Sequence, residues 1–312
     1  MARRVLVLGT RGSALALRQA RLIKRSLEQV GYQVDLREVS TAGDRIVDVP
    51  ISQIGDTGIF TKELDLALLD GRIHLAVHSL KDLPTRLPEG IRLGAVPMRE
   101  DPRDAFVAHP RISSPLADLP RGAVLATSSL RRTAQLKAWR QDLEVVSVRG
   151  NVDSRLNKLD EGDWHGLILA IAGLRRLGLE SRIGDVVDLD IMLPAVGQGA
   201  LGVVCSSNDE ELYAVLRDVL HDPITGFGTA AERALLRRLE GGCAVPIGAY
   251  GRMADGTLFL EGSVTSLDGT RNYRDKVSGK AEDAERLGVE LAERLLTQGA
   301  GAILKEIRGE QA

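Results

Sequence analysis

Aromatic side chains are scarce in this sequence, because four Phe, four Tyr and two Trp make up only 3% of its 312 residues. Proteins that bind single-stranded nucleic acid stack bases on aromatic rings and carry a basic surface, whereas this chain has a formal charge of -2. No uninterrupted apolar run reaches the roughly 20 residues that a membrane helix needs, and the apolar stretch near the N-terminus is too short for a signal peptide. We therefore expect a cytoplasmic protein that binds neither nucleic acid nor membranes.

Cysteine and histidine are also rare. The two cysteines, Cys205 and Cys243, lie too far apart in sequence for a zinc knuckle, and the five histidines show no metal-ligand spacing. We therefore expect no bound metal. Lysine is scarce as well, with 8 residues against 33 arginines. Codon bias of the host explains such a ratio, but guanidinium is also the group that pairs bidentately with carboxylates and phosphates, so the positions of the arginines must decide.

Strand-like apolar runs alternate with helical patterns through the first two-thirds of the chain, which is typical of α/β folds with a largely parallel sheet. Two linker-like stretches, residues 97–102 with two prolines around a charged run and residues 194–199 with proline and glycine, bracket one block of this pattern, which predicts a discontinuous first domain. We predict domain 1 over 1–98 and 200–220, an inserted α/β domain 2 over 103–194, and an α+β domain 3 over 222–312. A cleft between two α/β lobes is expected to bind ligand at carboxyl strand ends and helix N-termini.

Arginines stand near three predicted helix starts. Arg11 with Ser13 forms the first, residues 127–132 the second, and residues 149–151 with Arg155 the third. Free backbone N–H groups, the helix dipole and a fixed cation together favour an anion. Any one of them is also explained by a capped helix with solvated arginines. Three together favour a ligand with several carboxylates or phosphates, and the glycine spacings of nucleotide-binding loops are missing.

Two further residues are candidates for chemistry. Asp82 follows a predicted strand at 73–77, where an aspartate is commonly a turn former but is also placed to stabilise positive charge or move a proton. Cys243 follows two glycines, which allow close backbone approach, so its thiol is a candidate nucleophile or covalent attachment point. Cys205 fits inert packing instead.

Eight ordered segments resemble the porphobilinogen deaminase family, also called hydroxymethylbilane synthases. They span nearly the whole chain, so their order is a stronger signal than any single motif. The segments are residues 11–17, 77–84, 99–105, 127–132, 149–151, 172–178, 193–200 and 239–248.

The resemblance implies a transferase of tetrapyrrole and haem biosynthesis, with two lobes like type II periplasmic binding proteins and a third domain. It also implies a dipyrromethane cofactor attached by a thioether to Cys243. Four porphobilinogen molecules are condensed head to tail with loss of ammonia. The product, hydroxymethylbilane, passes to uroporphyrinogen-III synthase, and the enzyme is expected to be a monomer.

Site residues follow from the same resemblance, which implies that the catalytic residue is Asp82. Cofactor contacts are implied for Cys243, Lys81, Asp104, Thr127, Ser128, Ser129, Arg131, Arg132, Arg149, Gly150 and Gln198. Substrate contacts are implied for Arg11, Ser13, Arg149, Arg155 and Arg176. One departure concerns the glycine-rich loop at 55–60, where Thr57 stands in place of the lysine of many members, so a cation expected over the active site is missing.

Two other functions compete with this interpretation. A non-catalytic solute-binding protein fits the two-lobed architecture, but the apparent lack of a signal peptide and the domain that carries Cys243 oppose it. A cysteine acyltransferase needs a histidine base near Cys243, and the sequence around that cysteine offers none.

Overall fold

A computed structural model of the chain describes residues 4–41, 61–239 and 245–309. The chain divides into two compact units. The first unit contains Met1–Glu100 and Ala200–Gly226, and the second unit contains Asp101–Gly199 and Phe227–Ala312. The first unit is therefore discontinuous in sequence. The predicted division into three domains, which separates 103–194 from 222–312, stays a prediction.

Strands and helices alternate along most of the described chain. The strands are β1 (Leu6–Thr10), β2 (Val34–Glu38), β3 (Leu75–Ser79), β4 (Ile91–Ala95), β5 (Asp104–Ala108), β6 (Val124–Ala126), β7 (Glu144–Val146), β8 (Gly166–Ala170), β9 (Asp185–Val186), β10 (Leu201–Ser206), β11 (Ile247–Ala254), β12 (Thr257–Thr265) and β13 (Asn272–Gly279). The helices are α1 (Ala14–Gln29), α2 (Lys62–Leu69), α3 (Leu130–Trp139), α4 (Val152–Glu161), α5 (Ile171–Leu177), α6 (Glu210–Leu220), α7 (Pro223–Arg238), α8 (Ala284–Gln298) and α9 (Ala300–Arg308).

The first unit contains a mixed sheet with the strand order β2-β1-β3-β10-β4. β1 runs parallel to β2 and β3, whereas β10 runs antiparallel to both β3 and β4. Apolar side chains of α1, such as Ile23 and Leu27, pack on this sheet together with Leu212 and Leu216 of α6. Ala20, Ile23 and Leu27 recur at helical spacing and are buried, so burial of one face holds α1 on the sheet.

The second unit contains a sheet of the same kind, in the order β7-β6-β8-β5-β9. Here β5 is the antiparallel strand, paired with β8 and β9, and it holds the same fourth position that β10 holds in the first unit. The predicted α/β class is confirmed, whereas the likeness of two lobes to type II periplasmic binding proteins stays a prediction. The predicted largely parallel sheet is wrong, because each of the two sheets joins two strand pairs in parallel and two in antiparallel orientation. A separate antiparallel sheet, β11-β12-β13, packs against α7 and α8 through Leu235, Leu260 and Leu291, as the predicted α+β segment requires.

Element bounds mostly agree with the sequence pattern. The apolar periodicity of residues 14–30 predicts a helix, and α1 forms there, whereas the strand predicted over 73–77 is shifted to Leu75–Ser79. The shift arises because Ile73 N donates to Ala67 O at 3.1 Å, which closes the loop after α2 before strand pairing begins. Among the described residues, no helix combines the length and the apolar character needed to cross a bilayer.

Candidate active site

The three predicted helix starts are real, and each is closed by a side-chain cap. Ser13 Oγ accepts from Ala16 N at 3.3 Å before α1. Ser129 Oγ accepts from Arg132 N at 3.5 Å before α3, and Asn151 Oδ1 accepts from the backbone N–H three residues on at 2.8 Å before α4. Each cap satisfies one backbone N–H of its helix start, which leaves others in the first turn for a ligand.

A small pocket in the first unit lies at the carboxyl ends of β1 and β3. Its lining residues are Arg11, Ser13, Leu15, Ala16, Gln19, Val77, His78, Ser79 and Asp82. The structure thus brings together Arg11, Ser13 and Asp82, which the sequence analysis had proposed from separate segments. Asp82 ends a short 3-10 helix, Leu80–Asp82, and is half-buried. Lys81 precedes it in that helix and is also half-buried.

His78 and Ser79 are pocket residues that sequence reasoning did not select. Gln19 Nε2 of α1 donates to Ser79 Oγ at 2.9 Å. His78 is 5% exposed, and its Nε2 has no hydrogen-bond partner within the described part of the chain. Burial, helped by the nearby Arg11 charge, lowers the pKa of His78 to about 4. The imidazole is therefore neutral at neutral pH, and Arg11 supplies the positive charge.

In the second unit, one buried carboxylate pairs with two guanidinium groups. Arg132 Nε and Nη2 donate to Asp104 Oδ1 at 3.1 and 2.8 Å, while Arg131 Nη1 lies 2.9 Å from Asp104 Oδ2. Arg132 Nη1 also donates to Ile168 O at 2.9 Å, and Arg131 Nη1 to Leu193 O at 2.6 Å. Burial raises the pKa of Asp104, but the two arginines outweigh it and hold that pKa at about 2.

Gln198 completes this group. Its Nε2 donates to Asp104 Oδ1 at 2.9 Å and to Pro102 O at 2.7 Å, and the residue is only 1% exposed. Asp104 itself is fully buried. Asp104 and Gln198 were both predicted to contact the cofactor, and these hydrogen bonds join them to groups inside the second unit.

Two more arginines add charge beside this pair. Arg155 Nε donates to Gly150 O at 2.8 Å, and Gly150 adopts a φ of 118° that favours glycine. Burial and the charges of Arg132 and Arg149 lower the pKa of Arg155 to about 10. We call Arg131, Arg132, Arg149, Arg155 and Asp104 the arginine cluster. It carries an excess of three positive charges, which is costly in a partly buried site without an anion.

Of the remaining predicted side chains of the second unit, Thr127 and Ser128 lie on the loop that follows β6, and Arg176 lies on α5. Thr127 Oγ1 accepts from Ser129 N at 3.2 Å, and Ser128 Oγ donates to Val148 O. Arg176 Nη2 donates to Gly199 O at 2.6 Å, next to Gln198 in the chain. These contacts shape the loops that follow β6 and precede β10.

Glu232 is a buried carboxylate that the sequence analysis missed. It stands on α7, is fully buried, and accepts from Gly197 N at 2.7 Å and from Gly251 N at 2.8 Å. Gly197 has a φ of 73°. Glu232 therefore joins the segment before Gln198 to β11. Its helical periodicity alone gave no signal, because its partners lie far away in sequence.

Cys243 and Thr57 lie outside the described residues. Within the three described ranges, no group of three or more His, Cys, Asp or Glu side chains is arranged to hold a metal ion.

Two family models match this chain. The model described as "porphobilinogen deaminase, dipyromethane cofactor binding domain" matches residues 6–214, and the one described as "porphobilinogen deaminase, C-terminal domain" matches residues 228–297. This chain belongs to the porphobilinogen deaminase family. A curated porphobilinogen deaminase from Desulforudis audaxviator is 54% identical over 98% of this chain and 99% of its own length. One from Synechococcus elongatus is 51% identical over 96% of this chain and 94% of its own length.

A solved ABC-transporter periplasmic substrate-binding protein from Coxiella burnetii is similar in structure, with a TM-score of 0.43 and 16% identity over 73% of this chain and 96% of that chain. The resemblance of the eight segments to the porphobilinogen deaminase family is confirmed. So is the transferase of tetrapyrrole biosynthesis that it implies, together with a dipyrromethane cofactor-binding domain.

Proposed function

We propose that this chain is a hydroxymethylbilane synthase whose dipyrromethane cofactor is attached by a thioether to Cys243. It joins four porphobilinogen molecules head to tail: in each step the C–N bond of one aminomethyl group breaks, one carbon–carbon bond forms to a pyrrole carbon that loses its proton, and one ammonia leaves. The observation that carries the proposal is the arginine cluster, in which two guanidinium groups pair with one buried carboxylate and Arg155 and Arg149 add further positive charge beside them.

The residues of the second unit fit a dipyrromethane. Each pyrrole ring of that cofactor carries an acetate and a propionate, so two rings bring four carboxylates. Carboxylates pair bidentately with guanidinium groups, and they offset the excess positive charge of the cluster. A neutral or cationic ligand does neither.

Different members of the cluster have different roles in this proposal. We assign Arg149 and Arg155, with Arg131, to the carboxylates of the cofactor and of the growing chain, assisted by Arg176 and by the hydroxyls of Thr127, Ser128 and Ser129. Asp104 and Gln198 are assigned to hold these arginines in position rather than to contact the ligand, because their contacts run to Arg131, Arg132 and Pro102 O. Arg132 belongs with them, since Asp104 and Ile168 O take three of its N–H groups.

The pocket of the first unit is assigned to chemistry on the substrate. Arg11 and Ser13 bind substrate carboxylates at the N-terminus of α1, with Lys81 nearby. When the amine leaves, positive charge develops on the substrate, and the Asp82 carboxylate is placed to stabilise that charge and to exchange a proton with the pyrrole N–H. The cofactor, when bound, supplies the pyrrole carbon to which the first substrate is joined.

The remaining parts of the proposal concern the cellular setting. We propose a cytoplasmic monomer that passes hydroxymethylbilane to uroporphyrinogen-III synthase. Size-exclusion chromatography with light scattering tests the monomer directly, because a dimer doubles the measured mass.

Intact-protein mass spectrometry tests the central proposal. The purified chain is expected to be heavier than its sequence by one dipyrromethane, and Cys243→Ala is expected to have the mass of the bare chain. The matched control is Cys205→Ala, which removes a thiol buried in β10 and leaves the adduct in place. An unsubstituted protein without any adduct contradicts the proposal.

Incubation with porphobilinogen separates the competing functions. Release of ammonia with further mass steps on the chain supports the synthase. Reversible binding with no ammonia supports a solute-binding protein instead.

A further inference from the structure

A single side chain on α3 pairs with both backbone polar atoms of Leu193. Gln135 Oε1 accepts from Leu193 N at 2.8 Å, and Gln135 Nε2 donates to Leu193 O at 3.0 Å. Gln135 is 5% exposed and Leu193 is fully buried. Fifty-eight residues separate them in the chain, so this clamp joins α3 to the segment that ends at Gln198.

The clamped carbonyl is also a ligand of the arginine cluster. Arg131 Nη1 donates to Leu193 O at 2.6 Å and lies 2.9 Å from Asp104 Oδ2. Arg131 and Gln135 stand four residues apart on α3, so they occupy the same face of the helix. Arg131 and Gln135 therefore both donate a hydrogen bond to the Leu193 carbonyl oxygen, which has two lone pairs.

The orientation of the Arg131 guanidinium depends on these contacts. Arg131 Nε has no hydrogen-bond partner among the described residues. The plane of the Arg131 guanidinium is therefore fixed at Nη1, which contacts Leu193 O and Asp104. The next residue, Pro194, is also held in place, because its carbonyl oxygen accepts a hydrogen bond from Ala249 N at 2.9 Å. Gln135 Oε1 is the group on α3 that holds the Leu193 N–H.

We propose that Gln135 is a positioning residue for the arginine cluster: it fixes the Leu193 carbonyl, and through that carbonyl it sets the plane in which Arg131 presents its remaining N–H groups. Supporting side chains of this kind hold a binding group within a fraction of an ångström of its productive position. The consequence for anion binding rests on the function proposed above, whereas the effect on Arg131 itself does not.

The first test measures Arg131 directly by nitrogen-15 NMR of the guanidinium groups in the full-length protein. The Arg131 signals are identified by their loss in Arg131→Lys. In the unsubstituted protein we expect slow rotation of this guanidinium, with separate Nη1 and Nη2 signals. In Gln135→Met, which keeps the side-chain length but removes both hydrogen bonds, we expect the two signals to average.

Matched variants separate positioning from general damage. Gln141→Met removes the exposed hydrogen bond from Gln141 Nε2 to Asp268 O, which is 3.0 Å long and involves no member of the arginine cluster, and it is expected to leave the Arg131 signals unchanged. Gln135→Asn keeps the polar group but is one methylene too short, and it replaces Gln135→Met if that variant does not fold. Separate Arg131 signals in a folded Gln135 variant overturn the proposal, and so do averaged signals in the unsubstituted protein.

The second test follows occupancy by the cofactor through intact mass. We expect the ratio of modified to unmodified chain to fall about tenfold in Gln135→Met and to stay unchanged in Gln141→Met. If the unsubstituted protein carries no adduct, the proposed function fails while the NMR result still decides the role of Gln135. If the adduct is present and equally abundant in Gln135→Met, the proposed consequence for cofactor binding is overturned, whereas the role of Gln135 toward Arg131 is decided by the NMR result.

Discussion

Arg132 directs two of its nitrogens, Nε and Nη2, to a single oxygen of Asp104, at 3.1 and 2.8 Å. Both side chains are almost completely buried. The other oxygen of the same carboxylate faces Arg131 at 2.9 Å. One aspartate on β5 thereby fixes two adjacent arginines on α3, and the protein keeps a buried site in which positive charge remains in excess.

Loss of the Asp104 charge is expected to destabilise the second unit. Asp104→Asn leaves two buried guanidinium groups without a counter-charge, which costs about 3–5 kcal/mol of unfolding free energy. Urea denaturation measures this loss. The matched control is Asp142→Asn, which breaks a more exposed pair with Arg140 and is expected to cost much less, because exposed ion pairs are screened by solvent. Equal effects of the two substitutions contradict the prediction.

Removal of the Asp82 carboxylate is expected to slow turnover strongly without unfolding the protein. Asp82→Asn keeps the shape of this half-buried side chain but removes the charge that stabilises the substrate cation. The rate of ammonia release is expected to fall by about 10²–10⁴-fold, with little change in melting temperature. Asp70→Asn, at an exposed residue bonded to Arg72, serves as control. Near-normal turnover of Asp82→Asn rules out the assigned role.

His78 is expected to make stability depend on pH. Because its pKa falls from 6.5 to about 4 on folding, the unfolded chain binds a proton more readily. The stability contributed by the neutral imidazole is complete above pH 6.5 and is lost as the pH falls towards 4. The loss is about 3 kcal/mol. Unfolding free energies of the unsubstituted protein and His78→Gln, measured across this range, give the contribution by difference.

The difference is needed because other groups titrate in the same direction. The pKa values of His74 and His221 are also lowered by burial. They remain in both proteins and cancel. Parallel stability curves for the unsubstituted protein and His78→Gln contradict the prediction.

Two glycines set the distance between α7 and β11. A Cβ added at Gly228 lies 2.6 Å from Gly251 O, closer than real Cβ atoms come to a neighbour. Gly228→Ala is therefore expected to cost about 1–3 kcal/mol. Gly301, in the helix α9, is the opposite case, because a Cβ added there meets its nearest atom only at 3.5 Å. Gly301→Ala is therefore expected to stabilise the protein by up to about 1 kcal/mol. Thermal unfolding of both variants checks the two signs.

Local patterns predicted much of the fold. The helix start at Ser13, the alternation of strands and helices, and the α+β character of the C-terminal segment each follow from patterns within a few residues. The pocket around Arg11 and Asp82 follows from the rule that carboxyl strand ends meet at one edge of a sheet. These features rest on contacts between neighbours in sequence or between successive elements.

The supporting side chains did not follow from local patterns. In the sequence, Gln135 and Glu232 cannot be distinguished from other polar residues of a helix. Their roles follow from hydrogen bonds to Leu193 and Gly197, which lie 58 and 35 residues away. Gln198 was predicted to touch the cofactor, and the hydrogen bonds found for its amide run instead to Asp104 and Pro102 O. Buried polar networks are tertiary features, so a single sequence cannot show which partner is chosen.

The place of β10 between β3 and β4 has a consequence for synthesis on the ribosome. β4 ends at Ala95 and its neighbour β10 begins at Leu201. The ribosome therefore synthesises the strands of the second sheet before β10, the inner strand that completes the first sheet. At about 5–20 residues per second, this delay is on the order of 5–20 s. During that time β3 and β4 expose unpaired edges, which recruit other strands. A nascent chain stalled before Leu201 is therefore the form most in need of a chaperone.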